Sequence, residues 1–236
     1  MSLARHWKPI ALAAVMAGLL TGPVTSASAA AASVSDCTDV YVLAARGSGE
    51  SPGTGAIGSL AAQIKKQSGQ SVEVDAVDYP AQLAPYGSSS AKGTAAVKKQ
   101  LADQAATCPD QKIVLIGYSQ GAHIIGDALG GGGGGTLGTK TPPIDAGLGK
   151  HVAAVIQMGD PRHIPGQSFD KGTSQRAGMF PRQADQLLTG YANRIRAYCD
   201  TRDLFCDSGS SLIVHGGYLA RYTTPAVQFV LDTIGG

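Results

Sequence analysis

Ile113-Val114-Leu115-Ile116-Gly117-Tyr118-Ser119-Gln120-Gly121 is the stretch that decides how this chain reads. Its apolar run predicts a buried strand over 112–116, and the Gly-x-Ser-x-Gly pattern then turns the chain into a helix over 122–129. A serine hydroxyl is a weak nucleophile, so chemistry that uses it must lift it to the tip of a tight turn where a base can reach it. Glycines two residues to either side let strand and helix close around that strained turn without a Cβ clash. The helix that starts there also points free N–H groups at a developing oxyanion. The same five residues can form a plain glycine-rich connection whose serine caps the helix. Their position after a buried-looking strand favours a nucleophile elbow, and with it a serine hydrolase.

Working outward, further strand-like runs fall at 39–44, 71–77, 152–158 and 194–198, with helix-like stretches at 57–68, 90–108 and 225–234. Several of these strands are almost continuously apolar, which suits a parallel sheet covered on both faces. Alternating strands and helices imply right-handed crossovers. The expectation is a three-layer α/β/α sandwich around a central, mainly parallel sheet, with its chemistry at the carboxyl ends of the strands. Six consecutive glycines, Gly130 to Gly135, suggest a phosphate loop at first sight. They follow a helix rather than a strand and precede no Lys-Ser/Thr, so a flexible surface loop is expected. Residues 159–189, rich in proline and glycine, read as loop draped over one end of the sheet near the site.

The chain's first residues are an address. Arg5 and Lys8 precede the apolar stretch from Ile10 to Leu20, and Ala27-Ser28-Ala29 offers a small-x-small cleavage site. Residues 1–29 are therefore expected to be a signal peptide, and 30–236 a single exported domain. Of 19 Lys and Arg residues two lie in that leader, while none of the 17 acids does, leaving 17 of each and a formal charge near zero. Such a surface argues against nucleic acid or an anionic membrane as partner. No later apolar run approaches the length of a membrane span. Trp7, the only tryptophan, leaves with the leader, which disfavours a flat aromatic carbohydrate platform. The 207 residues after position 29 suffice for one sizeable core. Four cysteines in an exported chain point to two disulfides. Of three possible pairings we expect Cys37 with Cys108, tying the chain's start to the segment before the nucleophile strand, and Cys199 with Cys206, closing a small loop. No C-x-x-C spacing or histidine cluster supports a metal site, and no cofactor is expected.

Base and acid must come from elsewhere in the chain. His123, four residues after Ser119, sits on the nucleophile's own helix, where it is badly placed to take the proton. His151 reads as a solvated strand end. His163 follows a strand, and His215 lies in a late loop, Val214-His215-Gly216-Gly217-Tyr218. The chain order nucleophile, acid, histidine favours His215. Asp160 and Asp203 both follow strand-like runs and both stay candidates for the acid. Asp203 has the added merit of a loop, Cys199 to Cys206, that a disulfide would hold rigid against an imidazole. Oxyanion donors are expected at Gln120 and in Arg46-Gly47-Ser48-Gly49-Glu50, which follows the first strand, with Ser48 as the donor.

Together these motifs resemble the cutinase and acetylxylan esterase family of small secreted serine esterases. The similarity runs over nearly the whole exported chain and includes Ala45 to Glu50, Tyr79-Pro80-Ala81, Gly117 to Ala122, Cys199 to Cys206 and His215 to Tyr218. It implies Ser119 as nucleophile, Asp203 as acid, His215 as base, and Ser48 with Gln120 as oxyanion hole. It also implies the two disulfides above and a small, lidless α/β-hydrolase that works as a monomer. Its partner would be an ester substrate on a polysaccharide or polyester. Gln157 to Arg162, Arg176 to Pro181 and Asp127-Ala128-Leu129 are similar to acetylxylan esterases. Arg46-Gly47-Ser48 and the apolar Ser211-Leu212-Ile213-Val214 are similar to cutinases. The balance favours acetyl groups on xylan, with cutin-type polyester second. A catalytically silent surface-binding protein on the same fold is a third reading, which the intact serine, acid and histidine set argues against. Leu83, Tyr86, Leu204, Phe205, Leu212 and Ile213 are candidates for an apolar rim.

Overall fold

Six strands form the sheet of the computed structural model, which describes residues 37–235. The expected leader at 1–29 lies outside the described residues. The strands are β1 (Val40–Ala45), β2 (Val72–Ala76), β3 (Lys112–Tyr118), β4 (Val152–Met158), β5 (Asp170–Lys171) and β6 (Ile195–Tyr198). Their order is β2-β1-β3-β4-β6-β5, and every ladder is parallel. The helices are α1 (Gly58–Gln67), α2 (Tyr86–Thr107), α3 (Gln120–Gly130), α4 (Ala146–Gly149), α5 (Leu212–Gly216) and α6 (Tyr218–Ile234).

Side-chain alternation along the strands divides the core into two layers. Val40, Val42, Ala44, Val114 and Ile116 pack towards α1 and α6, against Leu60, Ile64, Val227 and Val230. Tyr41, Leu43, Ala45, Ile113 and Leu115 point the other way, towards Val97 and Leu101 of α2 and Ile124 and Ile125 of α3. Burial of both faces explains why β1 and β3 are nearly unbroken apolar runs. From β1 the chain steps to β2 on one side and then returns past β1 to β3 on the other. The loops after β1 and β3 therefore diverge at the switch point, the crevice where open α/β sheets bind ligands.

The differences from the expected elements have local causes. β3 runs on to Tyr118 because its ladder with β4 reaches Met158. α6 starts at Tyr218 rather than at Pro225, which lies inside the helix. Proline costs a helix hydrogen bond there, but the first turn is held by Tyr218, a fully buried ring. β5 is only two residues long, too short to leave any periodicity in a stretch expected to be loop. His215 belongs to the short helix α5 rather than to a loop, and Ser211 Oγ caps it by accepting from Val214 N at 3.1 Å. The glycine tract is pinned down rather than free: Gly131 and Gly132 are buried, and Gly132 bridges to Thr141. The Gly132 and Gly133 carbonyls also accept from Gln186 Nε2, at 3.0 and 3.2 Å. Both disulfides, Cys37–Cys108 and Cys199–Cys206, are formed.

Candidate active site

Ser119 stands between β3 and α3 with φ 55° and ψ −119°, a conformation that costs a non-glycine residue about 1–3 kcal/mol. The sheet holds it there. Its N–H donates to Met158 O at 2.8 Å, and its carbonyl accepts from His123 N at 3.1 Å. Its side chain makes no cap hydrogen bond with α3, so the hydroxyl is not used up in starting the helix. The flanking glycines are steric necessities. A Cβ on Gly121 would sit 1.9 Å from Ala45 O, and one on Gly117 would sit 2.6 Å from Ala122 N.

Ser119 Oγ lies 3.0 Å from His215 Nε2, and His215 Nδ1 lies 2.8 Å from Asp203 Oδ2. Asp203 is fully buried in the loop closed by Cys199–Cys206. Its other oxygen accepts from Phe205 N at 2.7 Å and Cys206 N at 2.9 Å. Burial pushes its carboxyl up, but the His215 hydrogen bond and charge, with the Cys206 N–H, outweigh that and hold it below the usual carboxylate range. An ionised Asp203 only accepts, so Nδ1 carries the ring proton and Nε2 turns its lone pair to Ser119. The imidazole is boxed in by Tyr118 and Phe205, with ring centroids 5.1 and 4.6 Å away.

On the other side of Ser119 stands the loop after β1. Arg46 is buried and donates to the carbonyls of Glu50, Val77 and Tyr79, while its own carbonyl accepts from Tyr79 Oη at 2.6 Å. Glu50 closes the loop by accepting from Gly47 N and Ala56 N. Ser48 is thereby presented to Gln120, the first residue of α3, with Oγ 2.9 Å from Gln120 Oε1. The amide's orientation follows from its neighbours: Gln120 Nε2 donates to Gln82 O at 3.3 Å and Ser90 Oγ at 3.0 Å. Ser90 itself donates to Tyr86 O, so it must accept from the amide. Ser48 Oγ is consequently the donor to Gln120, and the groups left free to face a substrate oxygen are backbone N–H groups.

A pocket of about 170 Å³ opens on Ser119 and Ser48, walled by Leu83, Tyr86, Met179, Phe180 and Phe205. Leu212 and Ile213 are exposed on α5, beside His215 but outside this lining, and Leu204 is half-buried. Met179 and Phe180 come from the 159–189 stretch, whose draped path carried no periodic signal. Among the described residues no group of three or more potential metal ligands occurs, and no helix is long and apolar enough to cross a membrane.

The other candidates sit apart. Asp160 is buried and accepts from Arg162 N at 2.9 Å and Gln157 Nε2 at 3.2 Å, and Arg182 Nη2 lies at 3.2 Å. Its hydrogen bonds go to this cluster and none to His215. The same cluster holds Asp127, with Arg162 Nη1 at 2.7 Å, Arg182 Nη1 at 2.8 Å and His123 Nε2 at 3.1 Å. Burial opposes ionisation of Asp127, but the three partners together hold its carboxyl well below the usual range. His163 is buried with Nδ1 3.8 Å from Asp170, where burial lowers its pKa, and His151 is half-buried at the start of β4.

Comparisons with known proteins bear on the chain as a whole. Acetylxylan esterase 2 of Talaromyces purpureogenus is 35% identical over 209 residues, covering 84% of this chain and 88% of that protein. Cutinase 11 of Verticillium dahliae is 33% identical over 221 residues, covering 90% of this chain and 74% of that one. Among solved structures, the catalytic core domain of acetyl xylan esterase from Trichoderma reesei superposes with a TM-score of 0.78 at 33% identity, over 84% of this chain and 100% of that chain. The cutinase family model matches residues 36–234, all of the residues described except Gly235, and the chain belongs to the cutinase family.

Proposed function

We propose that the protein is a secreted serine carboxylic-ester hydrolase that removes short acyl groups, acetyl groups of xylan first among them, through an acyl-enzyme. The observation that carries this reading is the unbroken hydrogen-bond chain from Asp203 through His215 to Ser119 at the mouth of an apolar pocket. Ser119 Oγ attacks the ester carbonyl while His215 Nε2 takes its proton. The carbonyl oxygen becomes an oxyanion facing the Ser48 N–H of the loop after β1 and the Gln120 N–H at the start of α3. His215 then returns the proton to the departing alcohol oxygen, leaving the acyl group on Ser119. Water, deprotonated by His215, attacks this ester, and collapse of the second tetrahedral species releases the acid and restores Ser119. Buried Asp203 keeps the imidazole in the working tautomer throughout.

The acetyl preference is supported by the names of the relatives and by the confined pocket, which leaves a polymer only the open rim. Cutin-type polyester is the second reading, favoured by Leu212 and Ile213, which lie exposed and apolar next to His215. Residues 1–29 act as the leader in this proposal and 30–236 as the mature enzyme. Two disulfides and no free cysteine among the described residues suit an oxidising compartment. One chain supplies every group in the mechanism, so catalysis needs no residue from a second copy. The test is hydrolysis of p-nitrophenyl esters from acetate to palmitate, beside acetate release from acetylated xylan, with wild type and Ser119→Ala. Activity peaking at acetate and abolished in the variant supports the proposal, whereas a peak at butyrate or beyond with no acetate release moves the substrate to polyester. A folded wild type inactive on every ester overturns it.

A further inference from the structure

Tyr86, the first residue of α2, walls the pocket that opens on Ser119. Two features hold its ring in place. The ring stacks on Phe180, with centroids 5.1 Å apart and planes at 25°. Its hydroxyl lies 2.9 Å from His123 Nδ1, while His123 Nε2 lies 3.1 Å from Asp127 Oδ2. Asp127 is anchored in turn by Arg162 and Arg182. The polarity of this relay follows from its end: an ionised carboxylate only accepts, so the imidazole proton sits on Nε2, Nδ1 accepts, and Tyr86 donates. Burial keeps the Tyr86 hydroxyl protonated by raising its pKa far above the usual phenol value.

His123 also lines a second cavity, of about 110 Å³, between α2 and α3, where Thr94 Oγ1 has no hydrogen-bond partner. The hydrogen-bonded pair Tyr86–His123 thus stands where the two spaces approach each other. A xylan or polyester chain is too large for a pocket of about 170 Å³, so the enclosed space belongs to the acyl group and the alcohol side lies over the rim. A lone aromatic ring in the wall of such a pocket could swing aside for a longer chain. One that is stacked and tied through His123 to a buried ion cluster resists that displacement.

We infer that Tyr86 is the specificity-determining end wall of the acyl pocket, and that the His123–Asp127 relay holds it shut against longer chains. This inference rests on the ester-hydrolase reading and adds a residue the chemistry itself does not need. Its test is kcat/KM for p-nitrophenyl acetate, butyrate and hexanoate with wild type, Tyr86→Ala, Tyr86→Leu and Tyr86→Phe. Each buried methylene gains roughly fourfold when a pocket accepts it, so Tyr86→Ala should raise the hexanoate-to-acetate ratio by at least about tenfold. Tyr86→Phe keeps the wall and loses the tie, and should shift the ratio by a few-fold. A residue with only a structural role would lower kcat for every ester alike and leave the ratio unmoved. If Tyr86→Ala does not fold, Tyr86→Leu reads out the same ratio. An unchanged ratio in a folded variant that still cleaves acetate overturns the inference and leaves the esterase reading intact. A wild type inactive on acetate removes both.

Discussion

Asp203→Asn separates orientation from structure more cleanly than any other change at this site. In the wild type Oδ1 accepts two backbone donors, Phe205 N at 2.7 Å and Cys206 N at 2.9 Å, and Oδ2 accepts from His215 Nδ1 at 2.8 Å. An asparagine has the same shape, and the two backbone N–H groups dictate which end of its amide takes the Oδ1 position: the oxygen. The NH₂ group is then forced to face His215. Nδ1 must accept, the ring proton moves to Nε2, and the atom 3.0 Å from Ser119 Oγ no longer has a lone pair to receive a proton. In serine proteases with the same Ser-His-Asp arrangement, the corresponding change costs about 10⁴ in kcat through this same tautomer error. That is roughly 5 kcal/mol of transition-state stabilisation. Both backbone bonds survive, so the melting temperature should move by only a few degrees. Asp160→Asn is the control, because it disturbs the pair with Arg182 at 3.2 Å and should lower stability while leaving turnover nearly intact. Steady-state hydrolysis of p-nitrophenyl acetate, with a thermal melt of each variant, decides the matter. A loss below tenfold for Asp203→Asn, or a large loss for Asp160→Asn instead, would refute the reasoning.

Ser48→Ala keeps its backbone N–H but loses the hydroxyl's tie to Gln120 at 2.9 Å, so turnover should fall by roughly tenfold, the worth of one hydrogen bond, with the fold retained; full activity in that variant would show that the loop after β1 presents its N–H without that tie. The two disulfides should separate stability from activity. Cys37–Cys108 spans 71 positions, for which the loop-entropy model gives about 4 kcal/mol, and Cys199–Cys206 spans 7, for about 2 kcal/mol. Replacing the first pair by serine should therefore lower the denaturation midpoint more, while replacing the second should cost more turnover, since it frees the loop that holds Asp203. Denaturant titration and kinetics on both double variants check the ordering, and equal effects on turnover would contradict it.

The sheet was legible because parallel strands buried on both faces must be apolar throughout. β1, β3 and β4 announce themselves as such runs, and the expected 152–158 coincides with β4. The elbow was legible for a related reason: its geometry is solved within five residues, by glycines that keep Cβ atoms away from Ala45 O and Ala122 N. What escaped depends on partners distant in the chain. α6 starts seven residues before Pro225 because Tyr218 is buried against the site, a tertiary gain that no helix propensity records. The glycine tract reads as a free loop until Gln186, more than fifty residues later, is seen to hold its carbonyls.

The ion cluster makes the point most sharply. Asp127, Arg162 and Arg182 come from α3 and from the proline-rich stretch, and singly each is an ordinary charged residue. Buried together they are costly to desolvate, and such a cluster contributes little net stability compared with well-packed apolar side chains. What it does provide is a fixed point. Arg162 also reaches Gly133 O at 3.3 Å and Gln186 Oε1 at 2.6 Å, which fastens the glycine tract, while His123 carries the same anchorage to Tyr86 beside the nucleophile. The 159–189 stretch, with little secondary structure of its own, is thereby held rigidly enough for Phe180 and Met179 to form a pocket wall. A lidless site has no closing element to shape itself around an acyl group, so its walls must be set in advance. Here buried charge does that setting, and it does so from positions whose purpose appears only once the chain has folded.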